Sequence, residues 1–275
     1  VAEPGAFVAG LWCLEASGIA GAGFQPAFLQ LLFGLLFLLP VAALFYRFDH
    51  LQTGRLGRHA AVAALTMLSL ACLCTALARL GVPLTLGIAA GGYMALSCLL
   101  SRRPLAAVAS IVSLLLLAAL LAHPSGGAVG LSLLLPLAAG VLRLAAERQA
   151  THHLAAEPRG TRLFYGLLLP LPLGAVPALL SWQPAPPTAW PWLLLAGLAL
   201  ALGHLLGRLA GPDRSGLATP PPGPLALLWS LSLLSLLPGQ TPPLDRLTLT
   251  GLATIVLVTG LSLSSGRREA KARKT

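Results

Sequence analysis

Residues 59–101 read HAAVAALTMLSLACLCTALARLGVPLTLGIAAGGYMALSCLLS. One ionised side chain, Arg79, interrupts this stretch, just ahead of Gly81-Val82-Pro83. A helix that crosses a bilayer needs about 20 mostly apolar residues. The stretch therefore holds two candidate spans, 59–78 and 82–101, parted by a Gly/Pro breaker. A link this short forces neighbouring helices to run antiparallel. The expectation is a helical hairpin whose solvent is lipid.

Composition agrees with that solvent. Hydrophobic residues make up 56% of the 275 and charged residues 9%, whereas a soluble domain carries roughly 25% charged residues. Mean hydropathy is +0.84. A chain so poor in charge would expose large apolar patches in water and aggregate. The net charge of +10 does not point to nucleic acid. The Arg and Lys residues lie between apolar runs and near the C-terminal end, with no basic face interleaved with aromatics. Cys13, Cys72, Cys74 and Cys98 all sit inside apolar runs without metal or redox spacing, and read as small packing residues.

Ten apolar runs are expected to span: 5–23, 27–46, 59–78, 82–101, 104–122, 127–146, 163–182, 190–208, 221–238 and 247–265. The first follows Glu3 rather than a basic segment, which predicts a retained helix and not a cleaved signal peptide. All Arg and Lys except Arg79 and Arg246 fall after the even-numbered runs or in the tail that ends at Lys274. This bias places both termini in the cytoplasm. Trp182, Trp190 and Trp192 flank the loop after the seventh run, where an outer aromatic belt belongs. Arg far outnumbers Lys, and Ala, Leu, Gly and Pro dominate, a composition that points to a GC-rich bacterial genome and hence to a multi-pass protein of the bacterial inner membrane.

The longest cytoplasmic loop, 147–162, divides the runs five and five. An odd number per half gives the halves opposite orientation, the inverted arrangement of many secondary transporters, with a midplane site between the halves. The expected organisation is a first five-helix half over 1–122, then 123–162 with the sixth helix and central loop, the remaining second-half helices over 163–265, and a basic tail over 266–275. The fold class is an all-α membrane protein of ten helices in two inverted five-helix repeats.

In layout the chain resembles the drug/metabolite transporter superfamily, in its ten-helix EamA-type branch. Leu11-Trp12 followed by the polar Glu15 is similar to the family's opening helix. The second helix begins at Pro26 and closes on Leu38-Leu39-Pro40. Ala76-Leu77-Ala78-Arg79 runs almost directly into the fourth helix, and Gly223-Pro224-Leu225-Ala226-Leu227-Leu228-Trp229 looks like the family's ninth-helix start. Arg102 or Arg103, and Gln240, stand where the family often has Glu, and apolar Leu32-Phe33 replaces a common basic position. The resemblance implies a secondary transporter that exports a small metabolite by alternating access.

Candidate cavity residues follow from polarity inside apolar runs. A carboxylate at the bilayer centre costs roughly 2.5–3.5 kcal/mol, so Glu15 is expected to face the bundle interior and to bind substrate or a coupling proton, with Trp12 beside it at i−3. The competing expectations are a neutral carboxyl bonded to a neighbouring helix, or a position near an interface. Tyr93 and Ser97 share a helix face, just after Gly87-x-x-x-Gly91, which is expected to let backbones approach closely. Gln30, His204 and Trp229 complete the set. Arg143 and Glu147 read as a surface i, i+4 pair, and His152-His153 through Glu157 as a solvated loop. The partners expected are a small-molecule substrate, the lipid bilayer and protons, with no nucleic acid and with a homodimer left open. No cofactor or metal is expected, because the chain shows no phosphate-cradling Gly loop, no H-E-x-x-H, no Ser/His/Asp set and no paired acids. A membrane-embedded enzyme would need several ionisable groups at one depth. A non-transporting membrane scaffold or partner subunit is the other alternative.

Overall fold

Gly81 is the bend that the opening stretch anticipates: its φ of 70° and ψ of 168° break a helix that otherwise runs from Leu56 to Leu100. The computed structural model of the protein describes residues 2–45, 53–100 and 129–209. Among them all regular structure is helical, with α1 at Ala2–Ala16, α2 at Phe24–Phe45, α3 at Leu56–Leu100, α4 at Val129–His153, α5 at Arg159–Leu168, α6 at Pro170–Leu180 and α7 at Trp190–Leu209. Leu56–Val82, Gly160–Leu180 and Pro187–Leu205 are long and apolar enough to cross a bilayer; Gly5–Ala16, Phe24–Pro40 and Leu84–Leu100 are shorter apolar helices. The expected helices at 104–122, 221–238 and 247–265, with Trp229 and the basic tail, lie outside the described residues.

The two arms of α3, 56–80 and 82–100, fold back on each other. The Ser69 hydroxyl donates to the Ala139 carbonyl at 2.8 Å, while Gly140 packs against the Ala89 carbonyl and the Tyr93 amide. In one straight helix residues 69 and 89 would stand about 30 Å apart. Both can meet residues 139–140 of α4 only if the chain reverses at Gly81. Only a residue without a Cβ adopts such a φ cheaply.

Contacts between the turns define two ends of the bundle. At one end, here termed outer, a Glu15 carboxylate oxygen accepts from the Val82 N–H at 3.3 Å. There too the Gln25 amide donates to the Gln183 carbonyl at 2.8 Å and accepts from the Gln183 N–H at 3.0 Å. At the inner end the Thr53 hydroxyl donates to Glu157 at 2.8 Å and the Arg55 guanidinium to the His153 carbonyl at 2.6 Å. His59 there lies over Tyr165 with ring centroids 5.0 Å apart. The described helices alternate between these ends, as the short gaps require.

The core is formed by α1, α2, the arms of α3 and α7, around Leu11, Leu14, Leu31, Leu70, Leu77 and Leu86. The opposite face of the helices is equally apolar: Val176 is 62% exposed, Leu179 67% and Leu180 85%. Such a belt is an aggregation surface in water and an ordinary surface in lipid. Trp182, Trp190 and Trp192 stand partly exposed around the outer loop, the position an interfacial aromatic belt takes. Cys74 and Cys98 are buried and Cys13 and Cys72 half-buried, in keeping with packing roles.

Three expectations need correction. The first run does not continue to residue 23. α1 stops at Ala16, and Gly18 and Gly23, with φ of 74° and 61°, turn the chain through a short 3-10 segment into α2. The central loop does not begin at 147, because the strong helix formers of Ala145–Ala150 carry α4 on to His153. His152 and His153 are therefore its last turn and not loop residues. The Arg143–Glu147 pair is not on the surface, since Arg143 is only 2% exposed. By contrast the seventh run, 163–182, stands as one span: α5 and α6 meet at Leu169, whose φ of −70° and ψ of −30° are helical, and together they make Gly160–Leu180.

Candidate functional site

Glu15 sits in the last turn of α1, near the outer end of the bundle and away from its middle. It is half-buried, and its bond to the Val82 N–H caps the helical arm 82–100 where that arm starts after Gly81. The first N–H groups of a helix have no partner within it, and the partial positive charge there favours a carboxylate. The positive-φ bend at Gly81 creates the orphan donor, and the early stop of α1 delivers the acceptor. Trp12, one turn inward on α1, is buried.

Gln30 is fully buried on α2. A Cβ on Gly10 would lie 2.9 Å from its Nε2 and 3.3 Å from the Ala196 carbonyl, so α1, α2 and α7 meet at this amide. Gln25, five residues earlier, is just as buried but holds both hydrogen bonds to the backbone of Gln183. Two glutamines on one helix thus divide between a structural clasp and an amide with no protein partner on either atom.

The inner half holds a second polar group. The Tyr93 hydroxyl donates to the Glu147 carboxylate across the α3–α4 contact. Arg143 lies one helical turn from Glu147 on α4, within reach as an i, i+4 neighbour. Ser97 is half-buried one turn beyond Tyr93, and His204 is buried near the inner end of α7. Ionisable side chains inside an apolar bundle are expensive to bury.

The residues expected to line one cavity thus fall into two sets: Trp12, Glu15 and Gln30 towards the outer end, and Tyr93, Ser97 and His204 towards the inner end. A close approach is seen at Gly92, where a Cβ would stand 2.8 Å from Leu137 Cδ1 and 3.1 Å from its carbonyl, and at Gly140 opposite. Gly87 and Gly91 are buried as well. Thr85, buried in the outer half with an unpartnered hydroxyl, escaped sequence reasoning because a single Thr in an apolar helix is a weak signal. Glu147 escaped it because the reading placed it at the start of the central loop, as half of a surface pair with Arg143. Among the described residues no three His, Cys, Asp or Glu side chains gather as metal ligands would. No known family model matches the chain, and no curated protein is significantly similar to it.

Proposed function

We propose that the protein is a secondary transporter that exports a small metabolite across the bacterial inner membrane by alternating access between two inverted five-helix halves. The layout resembles the drug/metabolite transporter superfamily, and on this reading the chain is a divergent member. Both termini face the cytoplasm, so the end of the bundle bearing Arg55, Arg58, Arg148 and Arg162 is the cytoplasmic one.

The observation that carries the reading is the pairing of contacts between the halves. An axis in the membrane plane would exchange each helix of one half with the equivalent helix of the other. Under that exchange α1 on α7 has as its counterpart the arm 56–80 on α4. The first contact is seen at Gly10 against Ala196 and Ala199, the second at Ser69 and Ala139. Likewise α2 on α7, with Gly34 against Leu200, is matched by α6 on the arm 56–80, with Gly174 against Met67. The contact of α2 with α6 would lie on the axis and be its own counterpart. Inverted halves packed in this way can rock about a central site and open it alternately to each side.

In this scheme Glu15 is the group that takes up a coupling proton at the outer end, where its carboxylate holds the first turn of the arm 82–100. Tyr93 and Glu147 join the halves at the inner end, and their bond must open for the inward-facing state.

Two measurements test the reading. Purified protein in liposomes is expected to move at least one member of a panel of neutral, anionic and cationic metabolites; complete inactivity across the panel argues for the scaffold alternative. Single cysteines at Ser125 and Thr188 are expected to react with an impermeant thiol reagent from outside and one at Thr151 only from inside. Labelling of Thr151 from outside overturns the orientation.

A further inference from the structure

Three side chains in the outer half hold buried polar atoms that meet no protein partner: Trp12 Nε1, both amide atoms of Gln30, and Thr85 Oγ1. They come from three different helices. Glu15 meets Val82 at the outer turn, and Trp12 and Thr85 each lie three residues inward of that contact, about 4.5 Å along antiparallel helices. Gln30 lies six residues into α2, about 9 Å down, where its Nε2 faces Gly10 and Gly10 in turn faces the Ala196 carbonyl.

These groups have one chemical character. The indole N–H and the amide NH2 donate, the amide carbonyl accepts, and the hydroxyl does both. None carries a charge. By contrast the carboxylates of Glu15 and Glu147 are engaged, with the Val82 N–H and the Tyr93 hydroxyl. A buried neutral amide without a partner lowers stability, and Gln30 carries that cost at 0% exposure. A charged solute would lose its hydration there, and none of these three side chains offers it a counter-charge.

We propose that the transported solute is uncharged and carries both hydrogen-bond acceptor and donor groups, and that Gln30 selects it. This rests on the transport reading and adds the class of substrate. A site built around an amide discriminates against solutes that leave its donor and acceptor unpaired. Gly10 contributes by having no side chain, which leaves the amide head room between α1 and α7.

The test is counterflow in liposomes with the full chain, using a panel that contains uridine and myo-inositol as uncharged solutes and glutamate and putrescine as charged ones. Wild-type protein is expected to carry uncharged members only. Gln30→Leu removes both hydrogen-bonding functions at similar volume, and it is expected to cut that transport by about tenfold or more. The same variant is expected to melt at a higher temperature than wild type, because an unpartnered amide has been replaced by an apolar group that fits the site. Gln30→Glu, similar in shape but ionisable, is expected to lose the transport without the gain in melting temperature. Three results overturn the proposal: carriage of charged solutes that Gln30→Leu leaves untouched, uncharged transport that survives Gln30→Leu, or a lowered melting temperature in Gln30→Leu, which would mean that the amide is a structural clasp like Gln25. The first leaves the transport reading standing. Inactivity towards the whole panel removes that reading together with the proposal.

Discussion

Gly140→Ala is expected to lower the melting temperature of the protein by several degrees and to reduce the yield of folded material. The added Cβ would meet the Ala89 carbonyl and the Tyr93 amide. Both obstacles belong to the backbone of a helix, so no rotamer change relieves the clash. The arm 82–100 and α4 would have to separate, and overpacking of this kind costs about 1–3 kcal/mol and sometimes more. Separation would also strain the bond between Tyr93 and Glu147. Gly174→Ala is the control. Its Cβ would run into the thioether end of Met67, which is flexible and can move aside. Thermal melting and the monodisperse fraction in detergent should rank wild type first, Gly174→Ala close behind and Gly140→Ala last. Equal melting of Gly140→Ala and wild type would mean that α3 and α4 do not pack backbone to backbone.

The second large effect is expected at Glu15. Glu15→Gln keeps the shape of the side chain and an oxygen that can accept from the Val82 N–H. What is lost at the start of the arm 82–100 is the attraction between a carboxylate and a helix N-terminus, about 0.3–1 kcal/mol. The fold should therefore survive. The amide cannot take up or release a proton, so transport driven by a proton gradient is expected to fall by about tenfold or more, the range over which removal of a positioned proton-transfer group acts. Glu15→Ala should lose the same transport and also some stability, because the buried Val82 amide then has no acceptor, a loss of about 1–3 kcal/mol. The deciding measurement is the gradient-driven rate per folded molecule. A wild-type rate for Glu15→Gln at every pH would confine Glu15 to its capping role.

The sequence by itself determined the helical class and the alternation of the helices, and its apolar runs anticipated helices long enough to cross a bilayer. Those properties depend on how many apolar residues occur in a row and on what interrupts them, and both are local. The short break at Gly81-Val82-Pro83 required a reversal, and Gly81 supplies it with a positive φ. The three tryptophans at the outer loop were legible for the same reason: interfacial placement follows from position beside an apolar run.

Only the tertiary structure decided what each polar residue does, because a hydrogen-bond partner on another helix leaves no trace in sequence spacing. Gln25 and Gln30 look alike in the chain, yet Gln25 clasps Gln183, 158 residues away, while Gln30 meets no protein partner. Glu15 lay inside an apolar run that appeared to continue, and the positive φ of Gly18 moved it to a helix end where it caps another helix. Arg143 and Glu147 had the spacing of a surface pair. The close approach of α4 to α3 at Gly140 removed Arg143 from the surface and brought Tyr93 to Glu147. A helix can be read along its own sequence, but which of its faces is buried depends on the shape of the helix that packs against it.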